Sequence, residues 1–195
     1  MENTDCPICN SKQTRRIFDD TLLKCQNCGH GWANLQLDHA YLQDLYAENY
    51  FKGEEYADYL ADKEILQLNF AKRVNQIKKQ HLALQNTLEI GCAYGFFFET
   101  LKKCYPNTHY EGFDISQDAI QYANQHYGPH FSAENYLEVS LTQTYDAVFM
   151  WDVIEHLSDP GAFLAKAQKE CKPGALLYLT TGDFGALLPR LQGKK

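Results

Sequence analysis

The sequence predicts an α/β protein with a doubly wound, mostly parallel sheet, preceded by a small metal-binding module. Three observations predict this: a strand that runs into a glycine turn and a helix at residues 88–104, further alternating strands and helices up to residue 181, and two cysteine pairs before residue 30. Alternation of this kind favours a parallel sheet. The 195 residues, 45% of them hydrophobic, are enough for one main core and a small appendage.

The first module, residues 1–34, is predicted from four cysteines. Cys6 and Cys9 form one C-x2-C pair, Cys25 and Cys28 form the second, and fifteen residues separate the pairs. This spacing is typical of a zinc ribbon, and a closed four-thiolate site would make the Zn2+ structural. So small a unit buries too little apolar surface to fold alone, so the metal would supply about 10 kcal/mol or more of folding free energy. The alternative is a surface loop that happens to carry cysteines.

Residues 35–86 are predicted to form an aromatic linker and then an amphipathic helix. The linker is aromatic and acidic up to about Phe51. Apolar residues at i, i+3 and i+4 spacing predict the helix between about residues 54 and 85, with one face packed on the sheet.

The core, residues 87–195, is predicted from alternating patterns of strand and helix. Turn residues and helix caps separate the elements, with Ser116 as the N-cap of one helix. The strands are predicted at residues 88–90, 109–114, 130–133, 145–151 and 175–181, and the helices at 96–104, 117–127 and 162–171.

The glycine turn indicates a nucleoside site. Gly91 ends the strand, and Gly95 lets the next helix approach the sheet and a ligand, although glycines can also serve only to make such a bend. Asp114 follows the next strand, where a carboxylate can accept both ribose hydroxyls. Ala93 replaces the middle glycine of a dinucleotide turn, and Glu89 would place negative charge beside a phosphate. Both features favour a cationic nucleoside without phosphate.

At these residues the chain resembles the class I S-adenosylmethionine-dependent methyltransferases. Their first motif, Glu-x-Gly-x-Gly-x-Gly, matches residues 89–95 with Ala93 for the second glycine. The run from Trp151 to Pro160 looks like the fourth-strand motif of small-molecule methyltransferases, including ubiquinone-type O-methyltransferases and sugar C-methyltransferases. The resemblance implies a Rossmann-like fold, S-adenosyl-L-methionine as cofactor, and methyl transfer to O or C of a sugar-, quinone- or metabolite-like acceptor.

The resemblance also implies which residues contact the cofactor. Glu134 lies where such enzymes often contact the adenine amine, and an aromatic segment ahead of the core would fold over the methyl donor, although its rings are equally well explained as packing surface. The cofactor residues so assigned are Glu89, Gly91, Cys92, Ala93, Gly95, Asp114, Ile115, Glu134, Trp151, Asp152, Tyr50 and Tyr56.

Two residues after the fourth strand are candidates for catalysis. His156 can take a proton near neutral pH and would be the general base for an alcohol or carbon acid, with Glu155 orienting it. The alternative is that this pair caps and anchors the turn.

Charge and length restrict the partners. A net charge of −7 argues against nucleic-acid binding. The sequence has no apolar run of about 20 residues and no signal segment, so a cytoplasmic location without membrane insertion is expected.

Only fourteen residues follow Thr181, so the core is expected to be truncated after its fifth strand. That edge would be exposed or covered by a second copy or another chain. The alternative function is therefore a truncated or non-catalytic zinc-containing protein that binds a cofactor or a partner.

Overall fold

The computed structural model describes residues 5–34, 59–81 and 83–183. The N-terminal module is an antiparallel sheet of β1 (Thr14–Ile17), β2 (Leu22–Cys25) and β3 (Gly31–Ala33), in the order β1-β2-β3. Strands β1 and β2 form a hairpin, and β3, which the sequence did not predict, pairs Gly31 with Lys24.

Helix α1 (Lys63–Lys78) leads into the core. It is shorter than predicted at both ends, because residues 59–62 form a turn and His81 adopts a left-handed backbone conformation (φ 53°) soon after its end. Residues 54–58 of the expected helix lie outside the described residues. The predicted apolar face is confirmed, since Phe70, Val74 and Ile77 are buried. No helix in the described ranges is long and apolar enough to cross a membrane.

The core sheet has five parallel strands in the order β6-β5-β4-β7-β8, which confirms the doubly wound α/β fold. The chain builds one half of the sheet outward from β4 and then returns to build the other half, so the reversal of strand order lies between β4 and β7. Its elements are β4 (Asn86–Ile90), α2 (Phe96–Cys104), β5 (His109–Phe113), α3 (Gln117–Tyr127), β6 (Phe131–Ser132), β7 (Tyr145–Trp151), α4 (Pro160–Glu170) and β8 (Cys171–Thr180).

Helices α3 and α4 begin at a side chain that satisfies one of their first N–H groups. The Ser116 hydroxyl accepts from the Ala119 N–H at 3.4 Å, as predicted for α3. Asp159 Oδ1 accepts from the Ala162 N–H at 2.9 Å and precedes Pro160, so α4 starts two residues earlier than predicted.

Each face of the sheet has its own apolar core, because both faces are covered by helices. The α1–α3 face includes Phe97 and Phe149, whose rings are 4.8 Å apart. The opposite face includes Leu88, Val148 and Met150, against which α4 packs. Strand β8 pairs with β7 and exposes 41% of Leu177. That another chain covers this edge stays a prediction.

A polar cluster joins the three helices of the first face. Glu99 Oε2 accepts from Lys63 at 3.0 Å, from Tyr127 at 2.8 Å and from Gln67 at 2.7 Å. Burial alone would raise the pKa of the Glu99 carboxyl, but these hydrogen bonds, first that of Lys63, lower the pKa to about 2.

Asp146 joins the strands at the amino edge of the sheet. Its Oδ2 accepts from the backbone N–H groups of Gln85 and Asn86 at 2.9 and 2.8 Å, and its Oδ1 accepts from Lys172 at 2.8 Å. Burial opposes ionisation, but these donors lower the pKa of Asp146. One carboxylate on β7 therefore contacts the starts of both β4 and β8.

Candidate functional site

The glycine turn lies at the carboxyl end of β4, beside the reversal of strand order where ligands bind in open α/β sheets. The N–H groups of Gly91 and Cys92 donate to the Phe113 carbonyl at 2.7 and 3.1 Å, which fastens the turn to the end of β5. Gly91 and Gly95 have φ of 77° and 75°. An ideal Cβ on Gly95 would lie 2.8 Å from the ring of Phe131. Both glycines are therefore needed for the turn itself.

Asp114 is hydrogen-bonded to this turn. Its Oδ2 accepts from the Ala93 N–H at 2.8 Å, and its Oδ1 accepts from the Ser116 N–H at 2.9 Å. Burial raises the pKa of Asp114 in spite of these backbone donors. Each oxygen keeps a second lone pair, so the carboxylate can hold the turn and still accept hydroxyl groups. Ile115 beside it is 47% exposed.

The environment of Glu89 differs from the one expected from the sequence. The sequence suggested a negative charge beside the turn, but the side chain is only 2% exposed and accepts a hydrogen bond from the Tyr110 hydroxyl. Burial raises the pKa of Glu89 well above its ordinary value, which favours the neutral acid. Cys92 is buried as well, and burial raises its pKa. In this arrangement both residues underlie the turn, and their contact with a cofactor stays a prediction.

Trp151 and Asp152 lie at the end of β7, and a residue that the sequence did not single out joins them. The Arg73 guanidinium of α1 lies 4.8 Å from the Trp151 ring centroid and donates to Asp152 Oδ2 at 3.2 Å. Asp152 has a left-handed backbone conformation (φ 56°). Helical spacing places Arg73 off the apolar face of α1, so no sequence signal indicated this contact.

Glu155 and His156 follow in a single 3₁₀ turn, Ile154–His156, and both are exposed. This 3₁₀ turn follows Val153, which packs directly against the glycine turn: a Cβ on Gly91 would overlap Cγ2 of Val153. The structure thus brings this segment to Gly91, while the catalytic roles of Glu155 and His156 stay predictions.

The three remaining predicted cofactor residues are Glu134, Tyr50 and Tyr56. Glu134 is exposed after β6 and accepts from the Ser132 hydroxyl at 2.6 Å. Tyr50 and Tyr56 lie outside the described residues.

The four predicted metal ligands come together in the N-terminal module. The Sγ atoms of Cys6 and Cys28 are 3.6 Å apart, as are those of Cys9 and Cys25, and all four lie within 4.8 Å of one another. Tetrahedral zinc with four thiolates places sulfurs about 3.8 Å apart. The N–H groups of Asn27 and Cys28 point at Cys25 Sγ at 3.3 and 3.4 Å, where they would stabilise a thiolate. The donor set therefore fits a zinc centre.

A parallel sheet with a glycine turn and an acidic residue at the carboxyl ends of neighbouring strands is typical of α/β proteins that bind nucleoside cofactors. A family model described as a methyltransferase domain matches residues 54–191. The chain belongs to this family, and the predicted resemblance to the class I S-adenosylmethionine-dependent methyltransferase family is confirmed.

Two curated relatives are similar to the core. The ubiquinone biosynthesis O-methyltransferase of Hydrogenovibrio crunogenus is 27% identical over 123 residues, 60% of this chain and 48% of that protein. The malonyl-(acyl-carrier protein) O-methyltransferase of Anoxybacillus flavithermus is 29% identical over 143 residues, 64% of this chain and 55% of that protein. The chain spans about half the length of the curated relatives it matches.

Two solved structures share the fold. The plantazolicin methyltransferase BpumL, in complex with a pentazolic desmethylPZN analog and SAH, matches with a TM-score of 0.58 and 17% identity over 75% of this chain and 56% of that chain. SAM-bound CalS10, an amino pentose methyltransferase from Micromonospora echinaspora, matches with a TM-score of 0.51 and 22% identity over 63% of this chain and 52% of that chain. At these identities the likeness concerns the fold alone.

Proposed function

We propose that this protein transfers a methyl group from S-adenosyl-L-methionine to O or C of a small-molecule acceptor. The observation that carries the proposal is the hydrogen bond from the Ala93 N–H to Asp114 Oδ2, which unites the glycine turn with the acidic end of β5. The family match and the relatives named as O-methyltransferases support it.

In this proposal, one set of residues binds the cofactor and another accepts a proton from the acceptor. When bound, S-adenosylmethionine supplies an electrophilic methyl group, so the protein must mainly position the acceptor and accept its proton. Asp114 would accept the ribose hydroxyls, and the exposed Ile115 would pack on the base. His156 would take the acceptor's proton as general base, and Glu155 would orient its ring.

Calorimetric titration with S-adenosylhomocysteine tests the cofactor site. Ile115→Ser should weaken binding about tenfold, because it removes roughly 1.4 kcal/mol of apolar burial by the ligand. Ile65→Ser is the matched control, since Ile65 is 62% exposed on α1. Its affinity should equal that of the unchanged protein. If the folded protein neither releases heat nor gains thermal stability with S-adenosylhomocysteine, the proposal is wrong.

The alternative is a non-catalytic protein that binds the cofactor, and a methyl-transfer assay distinguishes it from an enzyme. It would bind S-adenosylhomocysteine but transfer no radiolabelled methyl group to any acceptor in a metabolite screen. Product formation that is lost in Asp114→Ala would exclude it.

We also propose that Cys6, Cys9, Cys25 and Cys28 hold one structural Zn2+. The convergence of four sulfur atoms supports this. A closed four-thiolate shell would stabilise residues 5–34 without taking part in methyl transfer.

A further inference from the structure

A second cleft lies beside the candidate cofactor site. It encloses about 280 Å³ between α1 and strands β7 and β8. None of the glycine-turn residues 91–95 lines it, but it shares Trp151 with the predicted site. The lining residues are Arg73, Gln76, Trp151, Leu177, Tyr178, Leu179 and Thr180.

Two buried polar atoms belong to the walls of this cleft. Neither Nε1 of Trp151 nor the hydroxyl of Tyr178 has a hydrogen-bond partner among the described residues. The indole N–H is only a donor, and the phenol can donate as well. Buried donors in native proteins are nearly always paired, so these two indicate a missing acceptor.

Arg73 adds a positive charge to the same wall. Its guanidinium carbon lies 4.8 Å from the ring centroid of Trp151 and 5.4 Å from that of Phe70. Within the part of the chain that the structure describes, it makes one hydrogen bond, to Asp152. A guanidinium has five donors, and a fixed planar fork suits a carboxylate best.

We propose that this cleft, here called the Arg73 cleft, binds a carboxylate of the methyl acceptor. The inference rests on the proposed function and specifies its substrate class: small molecules in which a flat, partly apolar body carries a carboxylate. The leucines and aromatic rings of the cleft would contact the body, and Arg73 would hold the charged group. The methyl donor also has a carboxylate, so the experiment must separate these two sources.

Benzoate is a suitable probe, with isosteric but neutral benzamide as its control. Trp32→Phe leaves Trp151 as the only tryptophan, because the chain has two. In that background, benzoate should quench fluorescence with a dissociation constant in the roughly millimolar range expected for so small a ligand. Benzamide should bind at least tenfold more weakly.

Variants of α1 identify the group responsible. Arg73→Gln should weaken benzoate binding at least tenfold, and Arg73→Lys should weaken it less. Lys72→Gln is the matched control, because Lys72 is an exposed neighbour on the same helix and its loss changes the net charge equally. S-adenosylhomocysteine affinity should be unchanged in Lys72→Gln, and Arg73→Gln should lower it by a much smaller factor than it lowers benzoate affinity.

Three outcomes would overturn the inference. Equal binding of benzoate and benzamide would show that the charge of the ligand does not contribute to binding. Unchanged benzoate binding in Arg73→Gln would show that Arg73 does not bind the carboxylate. A parallel loss of S-adenosylhomocysteine affinity in Arg73→Gln would assign the carboxylate to the methyl donor. If S-adenosylhomocysteine fails to bind while benzoate binds through Arg73, the proposed function is wrong but the anion site stands.

Discussion

Replacing Gly91 with alanine should destabilise the protein in two separable ways. Alanine at a φ of 77° has a left-handed conformation that costs about 1 kcal/mol. Its Cβ would overlap Cγ2 of Val153 and lie 3.1 Å from Cγ1, so the segment after β7 must shift. Overpacking of this kind costs roughly 1–3 kcal/mol. The expected total is therefore about 2–4 kcal/mol.

Gly174→Ala separates the two terms. Gly174 has a similar φ of 81°, but a Cβ there would meet nothing within 4 Å, so only the backbone cost of about 1 kcal/mol is expected. Urea unfolding of both variants and of Gly91→Ala combined with Val153→Ala completes the comparison. The double variant should recover part of the loss, with a coupling of about 1 kcal/mol or more. Equal losses in Gly91→Ala and Gly174→Ala would refute the steric argument.

Further predictions concern the metal, acid stability and proton transfer. Metal analysis should find one zinc per chain, lost in Cys25→Ser but retained in Cys104→Ser, since Cys104 is exposed and outside the cluster; a native sample free of metal contradicts the site. Because the pKa of Glu99 falls from 4.5 to about 2 on folding, its contribution to stability is complete above about pH 4.5 and is lost as the pH falls through about 2. Allowing for partial exposure, this is about 2 kcal/mol, and Glu99→Gln should flatten the acid limb of urea midpoints measured against pH; an unchanged slope contradicts the assignment. His156→Ala should lower methyl transfer about 100-fold while leaving S-adenosylhomocysteine affinity unchanged; full activity would leave His156 a structural role.

The sequence predicted most of the core because its signals are local. Glycines at the turn and a carboxylate after the next strand are recognisable from the local pattern, but the hydrogen bond between Ala93 and Asp114 appears only in the structure. Strand β3 was missed, since three residues are too short to show a period. The start of α4 was placed two residues late, at residue 162, although proline suits the first position of a helix.

Side-chain environment was harder to predict than backbone. The alternation along β4 places Glu89 on the opposite face of the strand from Leu88 and Ile90. It does not reveal that α2 covers the face of Glu89, or that the Tyr110 hydroxyl donates a hydrogen bond to it there. Arg73 is a polar position of an amphipathic helix. Only the crossing of α1 over β7 brings its long side chain to Trp151.

Asp146 has a consequence for how such a protein can diversify. This carboxylate on β7 is hydrogen-bonded to the starts of β4 and β8, so it joins three strands at the edge of the sheet opposite the glycine turn. Loops at the opposite edge can then change in length and composition without misaligning the strands. New acceptor specificities can arise there by mutation while the scaffold is inherited unchanged.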